Sequence, residues 1–336
     1  MRAILFEQFG EPSEVLKLED VATAEPRPGQ IRVRMLASPI NPSDLMTVRG
    51  SYGRKPQLPA TPGFEGVGVV EANGGGLWGR YLVGKRVAVL NRNGGNWCET
   101  VVLPANQTIP VSADLPVEQA AMFFVNPATA FVMTRTLFNV PAGSWLLQTA
   151  AGSALGRMVI RLGKHYGFRT INVVRREAQV EELNKLGGDA VLVYDPNNQT
   201  AEELHGKVLR LTEDRGVPFV IDPVGGAVGS AVAGCLAPQG RMLVYGTLTD
   251  DPLSLPPRLL ISPEASIAGF WLARWMQRQG MLTKLRLVKT IGRLMRQGVL
   301  ISDIGGQFPL EEISEAVRAA EKTGRQGKVL LRMADE

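Results

Sequence analysis

Between residues 145 and 245, short apolar and β-branched runs alternate with segments of helical periodicity, and this alternation constrains the chain more than any other feature. An apolar run over 145–149 enters the turn Ala150-Ala151-Gly152-Ser153-Ala154-Leu155-Gly156, and 157–166 then places Met158, Val159 and Leu162 at helical spacing. Strands are predicted over 170–174, 190–193, 219–221 and 241–245, with helices over 177–186, 201–211 and 228–236 between them. Strands joined through helices of this length lie parallel, with right-handed crossovers. The segment therefore predicts an α/β, doubly wound parallel sheet.

The first third reads differently. Pro26, Pro28, Pro39, Pro42, Pro56, Pro59 and Pro62 exclude long helices, and short β-prone runs over 31–36, 66–70, 86–90 and 100–103 stand between turns. Near the other end an amphipathic helix is predicted over 277–297, with Leu287, Ile291, Leu294 and Met295 on one side. A last strand over 327–331 is free to return to the β-rich part. The expected domains are thus 1–122 with 303–336, β-rich and discontinuous, and 123–302, the parallel-sheet domain inserted between them.

Charge and cysteine content narrow the function classes. Lys and Arg number 37 against 32 Asp and Glu, a net +5 over 336 residues. That field is weak, it holds no run of five like charges, and it predicts no nucleic-acid partner. Cys98, Cys235, His165 and His205 do not make the clustered ligand set of a zinc site, and two thiols suit a reducing compartment. No run of about eighteen apolar residues occurs, and the first residues lack the apolar core of a secretory leader. A cytoplasmic protein with no membrane partner is expected.

A strand that runs into a small-residue turn opening a helix aims backbone N–H groups and the helix dipole at a pyrophosphate. The usual Gly-x-Gly-x-x-Gly is here Ala151-x-Ser153-x-x-Gly156. Small side chains leave room for phosphate, Gly156 keeps the position of close helix–strand packing, and Ser153 adds a hydroxyl donor. Domains of this design that select NAD place a carboxylate after the second strand, on the ribose 2′-hydroxyl. Arg175 and Arg176 stand there instead, and guanidinium donors clamp a 2′-phosphate, so NADPH is the expected cofactor. Tyr194, at the end of the next strand, either stacks or bonds near the same phosphate or is an edge aromatic.

These residues, with Ile40-Asn41-Pro42-Ser43-Asp44, Gly50-Ser51-Tyr52-Gly53, Pro62-Gly63-Phe64-Glu65-Gly66, Asn126-Pro127-Ala128-Thr129-Ala130, Gly269-Phe270-Trp271-Leu272 and Gly327-Lys328-Val329, carry a resemblance over essentially the whole chain. The chain resembles the medium-chain dehydrogenase/reductase superfamily, and within it the zinc-independent quinone oxidoreductases and mitochondrial-type trans-2-enoyl thioester reductases. Where the zinc branch has a metal-binding His, this chain has Phe64, and the cysteine-rich lobe of that branch is missing. Two departures stand out: Ala154 where the enoyl reductases usually keep Gly, and the Gly- and Trp-rich segment 71–81.

The resemblance implies a GroES-like β-rich catalytic domain plus a Rossmann domain, with NADPH in a cleft between them, and a homodimer. It implies that Tyr52 is the catalytic acid, returning a proton to the substrate α-carbon. A phenol with a pKa of about 10 is protonated at neutral pH and able to do this. Asn41 and Thr129 are expected near the nicotinamide, Phe270, Trp271 and Leu272 around it, and Lys328 at the cleft. Asp44 either bonds within the cofactor loop or caps the following turn. Asp222 either faces ligand at a strand's carboxyl end or satisfies local backbone donors.

The leading expectation is an NADPH-dependent oxidoreductase reducing the activated C=C bond of a 2-enoyl thioester, a small-molecule electrophile. Arg49, Arg54 and Lys55 offer a basic rim for the phosphates of a coenzyme A thioester. The alternative on the same scaffold is an NADPH:quinone or enone/alkenal reductase. A non-catalytic NADPH-binding sensor or an RNA-binding protein is the alternative from another class.

Overall fold

The computed structural model describes residues 1–53 and 55–334. The chain divides into two compact units, Met1–Val125 with Ser302–Glu336, and Asn126–Ile301.

In Asn126–Ile301 six strands form one sheet in the spatial order Ala190–Val193, Arg169–Val174, Trp145–Gln148, Val217–Asp222, Leu236–Val244, Ser266–Gly269. Every neighbouring pair is parallel. Trp145–Gln148 is buried throughout, and Arg169–Val174 is buried beyond its first residue, as parallel strands covered by helices on both faces require. Trp145, Leu147, Ile171, Val173, Val208, Val220 and Val232 join in one apolar cluster.

Local chemistry sets the turn after the first of these strands. Ser153 caps the helix Ala154–Tyr166, its Oγ accepting from the Gly156 N–H at 3.1 Å, so the helix begins earlier than the predicted 157. A Cβ on Gly156 would stand 2.5 Å from the Ala151 carbonyl oxygen, so the helix lies as close to the turn as backbone allows.

Other elements differ from the sequence expectation for identifiable reasons. The helix predicted over 277–297 is two, Leu272–Gln277 and Met281–Arg296, parted where Gly280 turns extended at ψ 163°. Leu287, Ile291, Leu294 and Met295 nonetheless bury one side of the second, as their spacing predicts. The helix predicted over 228–236 is Gly226–Ala233, and Leu236 opens the next strand. Ser266–Gly269, an edge strand of small and exposed residues, carries no periodic signal and was not predicted.

In Met1–Val125 with Ser302–Glu336 the main sheet runs Ile304–Pro309, Lys328–Arg332, Gln30–Pro39, Glu65–Asn73, Arg86–Leu90, Thr108–Pro110, with Thr100–Pro104 also on Gln30–Pro39. Lys328–Arg332 pairs antiparallel with Gln30–Pro39, Leu330 opposite Pro39 and Arg332 opposite Ala37, which makes the unit discontinuous in sequence. Gly68 is required because a Cβ there would meet the Arg34 carbonyl at 2.3 Å. Ile304–Pro309 escapes sequence reading because its two glycines and proline give no strand pattern.

The segment 71–81 ends in the short helix Leu77–Leu82, where Trp78 stacks on Tyr81 with ring centroids 5.2 Å apart. Two apolar clusters flank the sheet. One gathers Ile4, Phe6, Leu45, Val48, Trp97, Val317, Val329 and Leu331, the other Ile31, Val33, Met35, Val87, Val89 and Leu103.

Gly156→Ala is expected to destabilise Asn126–Ile301 by about 1–3 kcal/mol, because backbone rather than a mobile side chain meets the added methyl. Urea unfolding measures it, and an unchanged midpoint would show that helix and turn separate freely.

Candidate active site

Because the six strands of Asn126–Ile301 are parallel, their carboxyl ends share one edge, and most of the predicted cofactor residues of that unit follow those ends. Tyr194 follows Ala190–Val193, Arg175 and Arg176 follow Arg169–Val174, and the turn 150–156 follows Trp145–Gln148. Phe270, Trp271 and Leu272 follow Ser266–Gly269. The sheet order reverses between Trp145–Gln148 and Val217–Asp222, the place where open α/β sheets form their ligand crevice.

Within this edge the residues play unequal parts. Arg175 is exposed and Arg176 half-buried, and neither takes part in an ion pair among the described residues. Val193 is in register with Val174, so Tyr194 comes alongside Arg175, but its ring is buried in the apolar cluster under the sheet. It is an edge aromatic rather than an open stacking surface. Phe270 is buried, its N–H donating to Val244 O at 2.8 Å, while Trp271 is exposed and Leu272 half-buried at the start of its helix. Thr129 is buried in the helix Val125–Phe131.

Asp222 resolves to the local alternative. Its carboxylate accepts from the Thr149 hydroxyl, from Val224 N–H at 3.1 Å and from Gly225 N–H at 2.8 Å. Burial raises its pKa against those bonds.

Sequence reasoning missed two supports of the turn. Arg157 donates from Nε to Gly152 O at 3.1 Å and pairs with Glu182 at 2.7 Å, tying the turn to the helix Val180–Leu186. Gln148 Nε2 donates to Gly156 O at 2.9 Å and to Asn172 Oδ1 at 2.8 Å beneath it. A polar residue inside an apolar strand, here Gln148 and Asn172, is the signal that could have found the second.

In the β-rich unit Asn41 and Lys328 face inward, into a buried polar network with Asp44 and Glu65. Asn41 stands before the helix Pro42–Arg49, where the Asp44 carboxylate accepts from the Asn41 N–H at 2.8 Å, so Asp44 closes the helix start. The other Asp44 oxygen accepts from Phe64 N–H at 3.0 Å. Glu65 accepts from Asn41 Nδ2 at 2.9 Å and from Val125 N–H at 2.9 Å. Lys328 Nζ donates to Asn41 Oδ1 and, at 3.2 Å, to Ile40 O.

Burial pushes the Asp44 carboxyl up to about 7, against the Asn41 and Phe64 N–H bonds and the Lys328 charge. Burial also raises Glu65 and brings Lys328 down to about 8, with the Glu65 charge opposing the second.

Tyr52 lies just past the same helix, in a loop opened by Gly50 at φ +75° and closed by Gly53 at φ +46°. It is half-buried, and its ring tilts 52° against Phe64 with centroids 5.7 Å apart. The expected basic rim is not available as a set. Arg49 is held by Glu11 at 2.8 Å and Glu321 at 2.6 Å, Lys55 lies over the Phe9 ring, and Arg54 falls outside the described residues.

Lys328→Met removes the buried cation whose charge acts on Asp44 and Glu65 and is expected to cost about 3–5 kcal/mol of stability at neutral pH. Asp44 binds its proton more tightly folded than at the ordinary 3.8, so ionising it opposes folding between about 4 and about 7. With the cation gone Asp44 keeps its proton to a pH still higher than about 7, so the cost of the substitution should be largest at the alkaline end, shrink as pH falls toward about 7 and level off below it. Urea unfolding of both proteins from pH 5 to 8 measures it, and a pH-independent difference would contradict this account.

Residues 27–113 match the family model of the alcohol dehydrogenase GroES-like domain, and 154–287 that of the zinc-binding dehydrogenase. The donor set does not fit the metal in that second name: no group of three His, Cys, Asp or Glu among the described residues could hold an ion. Over 99% of its length the chain is 33% identical to mitochondrial enoyl-[acyl-carrier-protein] reductase of Xenopus tropicalis and 32% identical to that of Homo sapiens, covering 95% and 89% of those proteins.

A candidate NADPH:quinone reductase from Bacillus thuringiensis superposes with a TM-score of 0.90 at 30% identity, covering 99% of both chains. A mycobacterial protein solved in complex with NADPH superposes with a TM-score of 0.89 at 26% identity, covering 99% of this chain and 100% of the other. With the parallel sheet, the Ser153-capped turn and the β-rich unit on the page, the chain belongs to the medium-chain dehydrogenase/reductase superfamily, among its enoyl reductases and quinone oxidoreductases.

Proposed function

We propose that the protein is an NADPH-dependent oxidoreductase that reduces the activated C=C bond of a 2-enoyl thioester. The observation that carries the cofactor choice is the Arg175–Arg176 pair, free of acidic partners among the described residues, beside the helix that Ser153 caps. The dinucleotide fits that edge: the turn is built of small residues and pressed together at Gly156, and the helix start faces it. Arg175 and Arg176 hold the 2′-phosphate, and the turn N–H groups with Ser153 take the pyrophosphate. Phe270, Trp271 and Leu272 are assigned with Thr129 to the nicotinamide end, whereas Asn41 and Lys328, expected there, are engaged in the buried network. When bound, NADPH supplies the hydride that reaches the β-carbon.

Tyr52 gives the α-carbon its proton, directly or through a water that it holds. Its glycine-flanked loop lets the phenol approach a substrate, and Phe64 packs against the ring. The names of the enoyl reductase relatives support a thioester, and that of the Bacillus neighbour supports a second reading, quinone reduction, in which Tyr52 only binds. Initial rates with NADPH or NADH, crotonyl-CoA, hexenoyl-CoA and a benzoquinone separate the two. Enoyl-CoA turnover with NADPH supports the thioester reading, and turnover of the quinone alone overturns it. NADPH binding without turnover of any of these electrophiles would favour a sensor or an RNA-binding protein.

Arg175→Ala and Arg176→Ala should each raise KM for NADPH on the order of tenfold and leave KM for NADH nearly unchanged, as lost charge-assisted bonds require. Tyr52→Phe should lower kcat with enoyl-CoA by about 100-fold or more, with the Kd of NADPH unmoved.

Two further readings concern the protein as a whole. Ser266–Gly269 ends the six-stranded sheet with no outer strand on it among the described residues, and Ile261, Leu282 and Leu285 of that unit are exposed. These features support a homodimer, and sedimentation equilibrium at the mass of one chain would refute it. Cys98 and Cys235 are buried and unpaired, burial pushes each thiol up to about 12, and both suit the cytoplasm. No helix among the described residues is long and apolar enough to cross a membrane.

A further inference from the structure

We propose that Phe64 is the positioning residue for Tyr52, and that the buried Asp44 carboxylate fixes Phe64 by accepting its backbone N–H. The proposal deepens the reading of Tyr52 as proton donor and rests on it. Tyr52 sits between two glycines at positive φ, so its own backbone restrains its ring weakly. A ring contact adds a restraint: Phe64 meets it with centroids 5.7 Å apart and planes at 52°.

Phe64 in turn is held on several sides. Its N–H donates to Asp44 Oδ1 at 3.0 Å, and its carbonyl accepts from Asn91 N–H at 2.9 Å. Before it, Gly63 at φ +99° is pressed on buried Trp97, whose ring would stand 2.5 Å from an added Cβ. After it, Glu65 is anchored by Asn41 Nδ2 and Val125 N–H. Asp44 accepts from Asn41 at the helix start and from Phe64 with its two oxygens, so one carboxyl group orients both the helix that leads to Tyr52 and the backbone of the ring that meets it. The Lys328 charge favours the ionised form of that carboxyl group against the burial that raises it.

The test uses the full chain in four variants, Phe64→Leu, Phe64→Tyr, Asp44→Asn and Tyr52→Phe, with Phe64→Leu also built on Tyr52→Phe. Phe64→Leu keeps the backbone bond and removes the aromatic face, and Asp44→Asn keeps the shape and removes one of the two acceptors. Each should lower kcat with crotonyl-CoA by about 10- to 100-fold, as misplacement of a proton donor does, and leave the Kd of NADPH within about twofold. Phe64→Tyr should restore kcat to within about threefold of the parent. On the Tyr52→Phe background, Phe64→Leu should cost nothing further, since there is no phenol left to position.

A second readout does not depend on turnover. The chain has five tyrosines, so 3-fluorotyrosine labelling gives few resonances, and that of Tyr52 is the one lost in Tyr52→Phe. It should shift or broaden in Phe64→Leu and in Asp44→Asn. If Tyr52→Phe keeps full kcat, the proton-donor reading fails, and this resonance alone then decides whether Phe64 orients the ring. An unmoved resonance in Phe64→Leu, or an equal kcat loss with and without the Tyr52 hydroxyl, overturns the proposal. If Asp44→Asn does not fold, Phe64→Leu carries the test of the ring contact, and Asp44→Glu replaces it for the carboxylate, with a shifted Tyr52 resonance expected and an unmoved one overturning the Asp44 part.

Discussion

Two carboxyl groups buried in a β-rich core are costly to ionise, and the hydrogen bonds they accept together with the charge of Lys328 oppose that cost. That lysine arrives because the chain comes back after the parallel-sheet unit and lays Lys328–Arg332 antiparallel on Gln30–Pro39. The strand pairing and the charge pairing therefore depend on each other. Without the returning strand Asp44 and Glu65 would be buried without a counter-charge, and without them Lys328 would be a buried ammonium facing carbonyl oxygens. Around this network the helix start at Asn41, the Phe64 backbone and the Val125 N–H take fixed places.

The parallel-sheet unit rests on a different constraint, the common direction of its six strands. Once they are parallel, every loop after a strand falls on the same edge, and small-residue turn, guanidinium pair and aromatic segment share that edge without any direct contact being needed to bring them there. The turn itself is held by polar groups beneath and beside it, Gln148 with Asn172 and Arg157 with Glu182. Ala and Ser at the usual glycine positions are compatible with this because the close approach is made at Gly156, which is kept.

Legibility of the sequence followed the strength of local patterning. Strands 190–193 and 86–90 and the helix 201–211 were read with their observed limits, because apolar runs and caps mark them in the chain itself. The helix over 277–297 was read as one because the spacing of Leu287 to Met295 is strong and the break at Gly280 is a single glycine. Ser266–Gly269 and Ile304–Pro309 were illegible since edge strands bury little and need no alternation. Arg49 reads in the sequence as part of a basic rim because its partner Glu321 is 272 residues away.

The sequence by itself determined the architecture, an α/β unit inserted in a β-rich one, and the residue types of the turn 150–156, because periodicity, glycine placement and the Arg175–Arg176 pair are properties of neighbours along the chain. Only the tertiary structure decided that Asn41 and Lys328 point into a buried network, that Asp222 is consumed by local donors, and that the Phe64 ring meets that of Tyr52. Those facts join residues tens to hundreds of positions apart. Burial and pairing of a polar side chain are set by what packs around it, and no local pattern records that.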